Sequence, residues 1–143
     1  MKQFSLIAIL LFSLSAWAQK KKVAPPTNEP IKAASINSID ANYEQYKQVA
    51  LTIWDYAELG YKEVKSSALL QETLKKEGFA VEAGVAEIPT AFVATYGSGQ
   101  PVIGILAEYD ALPGLAQQAV PEKKGIDGKA GGHGCGHHLF GTA

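Results

Sequence analysis

Cysteine and histidine are scarce in this 143-residue chain, which has one cysteine and three histidines. A single cysteine cannot form a disulfide within the chain, so it is left as an intermolecular partner, a free thiol or a metal ligand. A haem attachment motif needs two cysteines and is therefore excluded. All four residues fall within positions 133–138, which also excludes a structural zinc site with a second, distant pair of ligands.

An excess of charge of one sign is also missing. Lysine and arginine together number 13 and aspartate and glutamate 14, which gives a formal net charge of −1. Proteins that bind nucleic acid usually carry a basic excess, so this balance does not indicate nucleic acid as a partner. The lysines at 20–22 are better interpreted as the start of a solvated leader than as a polybasic patch.

A long apolar run occurs at the start of the chain, within "MKQFSLIAILLFSLSAWA", residues 1–18. Lys2 precedes the apolar run at 4–14, and small residues stand at Ala16 and Ala18. This pattern is typical of a secretory signal peptide, and the run is short for a bilayer span. We predict cleavage after Ala18, export to the periplasm or the medium, and no stable membrane anchor. An N-terminal membrane anchor is the alternative.

The next residues, 19–36, contain three prolines and no amphipathic period, which predicts a flexible leader. The folded domain is predicted over 37–143. One helix is predicted from Asn37 or Ser38 to Gly60, and a second lies within 62–79. Their predicted buried faces are Ile39, Tyr43, Tyr46, Val49, Ala50, Ile53 and Trp54 in the first helix, and Val64, Ala68, Leu69 and Leu74 in the second.

Three strands are predicted after the helices, over 79–84, 90–97 and 101–110. The third contains a nearly continuous apolar run, as expected of a strand that is covered on both faces. Two helices followed by three strands indicate an α/β domain with helices packed on a mixed sheet. The apolar segment from Leu139 resembles the first turn of a further helix, so we expect this chain to be truncated.

The cysteine and histidines lie in "GGHGCGHHLFGTA", residues 131–143. Residues two apart in extended backbone project to the same side, so Cys135 and His137 can face one point. His133 lies one step further along, and His138 faces away unless a helix has begun. Thiolate and imidazole are preferred ligands of zinc and similar ions, and the interleaved glycines allow close backbone approach and positive φ. A cysteine nucleophile paired with histidine is an alternative, whereas a P-loop would need a Lys–Ser/Thr pair.

Two acidic residues stand in "AEYDALPGL", residues 107–115, at the end of the third predicted strand. Ligand sites of open α/β sheets gather outside the carboxyl ends of the strands. Glu108 and Asp110 are two apart and can lie on one side. A carboxylate there can bind a metal ion or accept the N–H of a metal-bound histidine. The alternative is a solvated strand end before a turn at Pro113 and Gly114.

Three segments in this order and spacing, "AELGYKE" (57–63), "AEYDALPGLAQQA" (107–119) and "GGHGCGHHLFGTA" (131–143), closely resemble one known family. The chain resembles the N-terminal part of the M-twenty metallopeptidases and amidohydrolases, in the branch of the aminobenzoyl-glutamate hydrolases. The resemblance implies the front portion of a zinc-exopeptidase-like catalytic domain. It also implies two divalent ions, Zn²⁺ or Mn²⁺, holding a water that attacks the amide bond of a small N-acyl or aminobenzoyl amino acid conjugate.

The resemblance further implies metal ligands at Cys135 and His137 and an orienting carboxylate at Asp110. Glu108, where many relatives have Asp, is a candidate neighbour of the ligands, as are the remaining histidines, His133 and His138. The general base, the other ligands and the lid or dimerisation domain are expected after position 143, and full-length relatives are expected to be homodimers or hetero-oligomers. The competing hypotheses are a non-catalytic metal-binding fragment and an inactive partial gene product.

Overall fold

The structure, a computed structural model, describes residues 27–143. Its contacts divide the chain into two units, 1–36 and 37–143. The predicted signal peptide (1–18) and the lysines at 20–22 lie outside the described residues. Among residues 27–143, no helix has both the length and the apolar character needed to cross a membrane.

Helix α1 covers Glu29–Ala41 and contains no buried residue. This differs from the flexible leader predicted as far as residue 36. Pro30 stands in the first turn of the helix, where a missing N–H removes no helical hydrogen bond. The lysine and alanines that follow are good helix formers, so Pro30 marks the start of a helix here rather than excluding one.

Helix α2 covers Tyr43–Tyr56 and carries the second half of the predicted apolar face. The apolar residues of the first half, within 39–46, are exposed. The helix stops before the predicted end at Gly60, because Ala57 takes a left-handed conformation with φ of 44° and donates its N–H to Ile53. The buried residues of α2 are Val49, Ala50 and Ile53.

Helix α3 covers Val64–Lys76, and its buried face matches the predicted one only in part, since Leu69 packs against the core whereas Ala68 is exposed. Val64 is 68% exposed, whereas Ser66, Ser67 and Leu70 are buried. The prediction missed the two serines, which are buried because both hydroxyls have hydrogen-bond acceptors inside the protein. A buried hydroxyl with a partner is stable, so hydropathy alone does not identify the inward side of this helix.

The first two predicted strands are confirmed, with shorter bounds. Strand β1, Ala80–Ala83, pairs antiparallel with β2, Phe92–Thr95, and a 3-10 segment at Val85–Glu87 lies between them. A second antiparallel pair joins β3, Leu112–Pro113, to β4, Gly131–Gly132. The described residues thus form an α/β arrangement in which two separate antiparallel pairs replace the mixed sheet that was predicted.

The third predicted strand, 101–110, is not a strand in the structure. Its apolar side chains are exposed, with Ile105 at 91% and Leu106 at 93%. A continuous apolar run is buried only where other elements pack over both of its faces. Within residues 27–143, no strand pairs with this segment. The prediction of a strand buried on both faces is therefore wrong for this structure.

A small core in unit 37–143 lies between α2 and α3. Val49, Ile53 and Leu70 form its centre. Tyr109 and Phe92 pack against it, and their rings stack with centroids 6.0 Å apart. The core thereby fixes the end of segment 101–110, which carries the two predicted acidic site residues.

Candidate metal centre

Three segments of backbone meet at the candidate site. The Ala111 N–H donates to the Glu58 carbonyl over 2.7 Å, which joins the loop after α2 to the end of segment 101–110. Gly114 donates to Ala130 over 2.9 Å, beside the β3–β4 pair. These main-chain hydrogen bonds place the acidic segment next to the glycine-rich loop, as the two motifs predicted.

His137 lies between two carboxylates. Its Nδ1 is 2.7 Å from Asp110 Oδ1, and its Nε2 is 3.1 Å from Glu108 Oε2. The His137 side chain is 18% exposed, Asp110 30% and Glu108 60%. The structure therefore brings together three of the predicted site residues, with the more buried carboxylate at the shorter distance.

This arrangement selects one tautomer of the neutral His137 ring. A neutral imidazole has one N–H donor and one acceptor nitrogen, and a carboxylate only accepts. The shorter contact to Asp110 favours the proton on Nδ1, which leaves the lone pair of Nε2 directed towards the side of Glu108. A carboxylate at the far nitrogen of a metal-binding histidine commonly fixes the ring in this way.

Glycines of the loop are required for two different reasons. Gly136 precedes helix α4, His137–Phe140, with φ of 83°, which other residues rarely adopt. At Gly132, a Cβ atom would lie 1.9 Å from the Leu115 carbonyl oxygen. The positive φ that the sequence predicted occurs at Gly136, whereas Gly132 permits close packing of backbone against backbone.

His133 and His138 form a second pair, with ring centroids 4.8 Å apart. Because α4 begins at His137, His138 turns towards His133. His133 Nε2 lies 3.1 Å from the Ile53 carbonyl and therefore carries the ring proton. Burial is the main cause that lowers the pKa of both His133 and His138 below the ordinary value of a histidine.

Cys135 is exposed and lies between His133 and His137 in sequence. Within the described part of the chain, no group of three or more His, Cys, Asp or Glu residues is arranged to hold one ion. The structure thus joins His137 to Asp110 and Glu108, and His133 to His138, without bringing Cys135 into a three-residue cluster.

The donors nevertheless fit a divalent cation in their chemistry. Imidazole, thiolate and carboxylate are the usual zinc ligands. The 3.1 Å between His137 Nε2 and Glu108 Oε2 is a spacing that two neighbouring ligands of one ion can adopt. Two buried ring atoms beside this group, His133 Nδ1 and His138 Nδ1, have no hydrogen-bond partner among the described residues. The residue types are therefore those that bind a divalent cation. Within residues 27–143, however, three or more of them are not arranged around one point.

Glu58 is a supporting residue that sequence reasoning did not single out. Its carboxylate accepts from the Lys65 N–H over 3.1 Å and from the Ser66 N–H over 2.8 Å. It also accepts from the Ser66 hydroxyl over 2.9 Å. Glu58 thereby satisfies the free N–H groups at the start of α3 from outside the helix. Glu58 precedes Ser66 by eight residues, whereas a capping box joins two residues that are three apart. No local sequence pattern therefore predicts this contact.

A second unpredicted network surrounds Thr90. The buried Glu63 carboxylate accepts from the Thr90 hydroxyl over 2.7 Å. The Thr90 carbonyl accepts from the hydroxyls of Ser67 and Tyr109. These contacts connect residues far apart in sequence, and they hold α3 and the end of segment 101–110 to the same backbone position.

Comparison with known proteins identifies relatives of the chain. No protein-family model matches the sequence. The chain is 44% identical over 108 residues to a subunit of p-aminobenzoyl-glutamate hydrolase from Escherichia coli, which covers 75% of this chain and 22% of that protein. It is 38% identical over 92 residues to thermostable carboxypeptidase 1 from Saccharolobus solfataricus, covering 63% and 23%. It is 30% identical over 125 residues to Xaa-Arg dipeptidase from Homo sapiens, covering 78% and 25%.

The chain belongs to the M-twenty family of peptidases and amidohydrolases. Within that family it is similar to the Escherichia coli p-aminobenzoyl-glutamate hydrolase subunit, so the predicted branch is confirmed. These relatives are, by their names, a hydrolase of an aminobenzoyl-glutamate conjugate and two peptidases, all of which act on amide bonds. The chain spans about a quarter or less of the length of these relatives.

Proposed function

We propose that this protein is a metal-dependent amidohydrolase that cleaves the amide bond of an N-acyl or aminobenzoyl amino acid conjugate. The observation that carries the proposal is the position of His137 between Asp110 and Glu108, on the glycine loop that also bears Cys135. The names of the relatives support the class of reaction, since each acts on an amide bond.

We assign Cys135 and His137 as ligands of a divalent cation and Asp110 as the residue that positions His137. The Nδ1–H of His137 donates to Asp110, which leaves Nε2 free to bind the ion. Glu108 lies close enough to Nε2 to contact the same ion. A thiolate ligand favours Zn²⁺ over Mn²⁺, and the family resemblance supports two ions rather than one.

The residues around His137 restrict the movement of its ring. When bound, a divalent cation supplies a nucleophilic water at neutral pH and polarises the substrate carbonyl. Asp110 accepts from the Nδ1–H of His137, so rotation of the ring would break this hydrogen bond. Gly141 at the end of α4 packs against the same segment, since a Cβ there would lie 2.9 Å from Tyr109 Cβ. The ligand nitrogen is therefore held before any substrate arrives.

We further propose where the protein acts and with what. The pattern of residues 1–18 supports export to the periplasm or the medium. The substrate is a small molecule with an amide bond. The relative from Escherichia coli is named as a subunit, which supports assembly of this protein with further polypeptide chains.

Hydrolysis of 4-aminobenzoyl-glutamate, followed as release of 4-aminobenzoate, tests the proposed function. The full chain is assayed alone and together with any chain that copurifies with it. We expect release to stop after chelation and to return when Zn²⁺ or Mn²⁺ is added. Asp110→Asn is expected to lower kcat/KM roughly 10–100-fold, because loss of a residue that hydrogen-bonds to a metal ligand has effects of that size.

Asp127→Asn is the matched control, since Asp127 is an exposed carboxylate in the loop before β4. It should leave kcat/KM unchanged. Hydrolysis that survives complete removal of metal, or an Asp110→Asn variant as active as the control, would contradict the proposal. Metal binding without hydrolysis in any of these preparations would favour the non-catalytic alternative.

A further inference from the structure

Glu63 is a buried carboxylate that lies outside the assigned residues of the candidate metal centre. It is 7% exposed, and both of its oxygens accept hydrogen bonds. Oε1 accepts from the Tyr61 N–H over 2.9 Å, and Oε2 accepts from the Thr90 hydroxyl over 2.7 Å. A buried charge destabilises the fold unless hydrogen bonds replace its lost contacts with water. Glu63 therefore depends on these two contacts, and each of them leads towards Asp110.

The first connection runs through the turn at 59–62. A main-chain hydrogen bond of 2.9 Å closes this turn, and Tyr61 within it has φ of 64°. Such a left-handed conformation is unfavourable for a residue with a side chain, so it persists only where the surroundings stabilise it. The Glu63 carboxylate stabilises it by accepting the Tyr61 N–H. At the start of the turn, Leu59 forms a parallel bridge with Ala111, the residue after Asp110.

Gly60 lies in the same turn and faces both carboxylates. A Cβ atom at Gly60 would lie 3.8 Å from Asp110 Oδ2 and 3.9 Å from Glu63 Oε1. The turn therefore packs against the Asp110 side chain on the side away from His137. Because Oδ1 of the same carboxylate contacts His137 Nδ1, the position of the turn restricts how the Asp110 carboxylate can rotate.

The second connection runs through Thr90. Its hydroxyl donates to Glu63, and its carbonyl accepts from the Tyr109 hydroxyl. Tyr109 directly precedes Asp110 in sequence, so a fixed Tyr109 ring restricts the backbone of Asp110. Glu63 is thus connected to Asp110 through two separate segments of the chain, the turn at 59–62 and the residues at Thr90.

We propose that Glu63 is a positioning residue for the pair formed by Asp110 and His137. It holds the turn at 59–62 against Asp110 Oδ2 and, through Thr90, holds the backbone of Asp110 in place. Asp110 then keeps the ring proton of His137 on Nδ1 and leaves the lone pair of Nε2 free. The importance of Glu63 for hydrolysis rests on the proposed function, whereas its effect on the His137 ring can be measured without metal or substrate.

Nitrogen nuclear magnetic resonance of the isotopically labelled, metal-free full chain tests this role through the tautomer of His137. His137→Gln assigns the ring signals, because the chain has three histidines. In the unsubstituted chain, at one fixed pH, we expect the proton mainly on Nδ1. In Glu63→Ala the shifts of Nδ1 and Nε2 should move towards each other, because a loosely held Asp110 allows both tautomers. Glu63→Gln should restore the original shifts, since its amide can accept from Tyr61 and contact Thr90.

Phe79→Ala is the control for a general loss of stability. The Phe79 ring packs against that of Tyr96, with centroids 5.1 Å apart, beyond the other end of α3 from Glu63. A helix of 13 residues is about 20 Å long, so this variant loses packing far from the site. Its His137 shifts should equal those of the unsubstituted chain. Thr90→Val, which removes only one hydroxyl, carries the same prediction as Glu63→Ala and decides the test if Glu63→Ala does not fold.

Unchanged His137 shifts in Glu63→Ala and Thr90→Val, or equal changes in Phe79→Ala, would overturn the proposal. In the hydrolysis assay, Glu63→Ala should lower kcat more than it raises KM, because the ligand and not the substrate is displaced. The loss should be no larger than the roughly 10–100-fold expected of Asp110→Asn, since Glu63 acts through Asp110. Altered shifts in a chain that hydrolyses no amide would support this role and contradict the proposed function alone. Hydrolysis by the unsubstituted chain, with unchanged shifts in the variants, would contradict the role of Glu63 alone.

Discussion

Tyr109 connects the two acidic site residues to the core. It lies between Glu108 and Asp110 in sequence, and its ring stacks on Phe92. Its hydroxyl donates to the Thr90 carbonyl. Burial is the main cause that raises the pKa of Tyr109 above its ordinary value of 10.0. Tyr109 thus positions the site residues, and loss of its hydroxyl proton would destabilise the folded chain.

The raised pKa of Tyr109 predicts a loss of stability at alkaline pH. In the unfolded chain Tyr109 releases its proton near pH 10, whereas the folded chain retains it to higher pH. The unfolding free energy should therefore fall as the pH rises from about 10 through the raised pKa. In Tyr109→Phe this contribution disappears, and the neutral-pH stability should drop by about 0.5–1.5 kcal/mol for the lost hydrogen bond.

Urea unfolding at several pH values, followed by circular dichroism, measures both effects. Tyr61→Phe serves as the control, because Tyr61 is 76% exposed. The unfolding free energy of Tyr61→Phe should fall with rising alkaline pH as steeply as that of the unsubstituted chain. The same slope in Tyr109→Phe would show that Tyr109 is not the group responsible.

The pairing of Asp110 with His137 shows what residue types and spacing can predict. Acids two apart at a segment end and histidines in a glycine loop indicate a shared site, and the structure places Asp110 at His137. The pairing of His138 with His133 depends on the residue at which α4 begins. That residue cannot be predicted from the glycine-rich sequence around it. The metal-binding roles of these residues stay predictions.

At the scale of elements, helix α3 depends on a residue outside it. The residue before its first turn, Glu63, makes no side-chain capping bond to the helix. Glu58 accepts from the N–H groups of Lys65 and Ser66 instead. A carboxylate at a helix N-terminus is stabilised by the N–H groups and by the helix dipole.

Glu58→Gln is therefore expected to lower the unfolding free energy by about 1 kcal/mol, the size of a lost helix cap. The amide keeps one acceptor oxygen but loses the charge and the second acceptor. Urea unfolding at neutral pH measures the change. Glu72→Gln, at an exposed position of the same helix, should have little effect, and an equal loss in both variants would contradict the role of Glu58.

Segment 101–110 is the element for which sequence and structure differ most. Its apolar run predicts burial on both faces, but such burial also requires other elements to pack over those faces. In the structure only its end is fixed, through Tyr109 and the Ala111 N–H. The buried face of α3 differs from the prediction for another reason. The hydroxyls of Ser66 and Ser67 are buried there because they donate to acceptors that are distant in sequence.

At the scale of the whole molecule, the fold class and the family were predictable because they depend on short, specific segments. The helices, the first two strands and the three family motifs are local features of the sequence, and the structure and the relatives bear them out. The contacts of Glu58, Glu63 and Thr90 depend on the meeting of distant segments, which local patterns do not encode.

The central claim is that Cys135 and His137 bind a divalent cation. Equilibrium dialysis of the full chain against Zn²⁺, followed by elemental analysis, tests it most directly, with Asp127→Asn as the control. We predict about one or more bound ions per chain, and a loss of affinity of roughly tenfold or more in both Cys135→Ser and His137→Ala. Zinc content in those two variants equal to that of the unsubstituted chain and the control would contradict it.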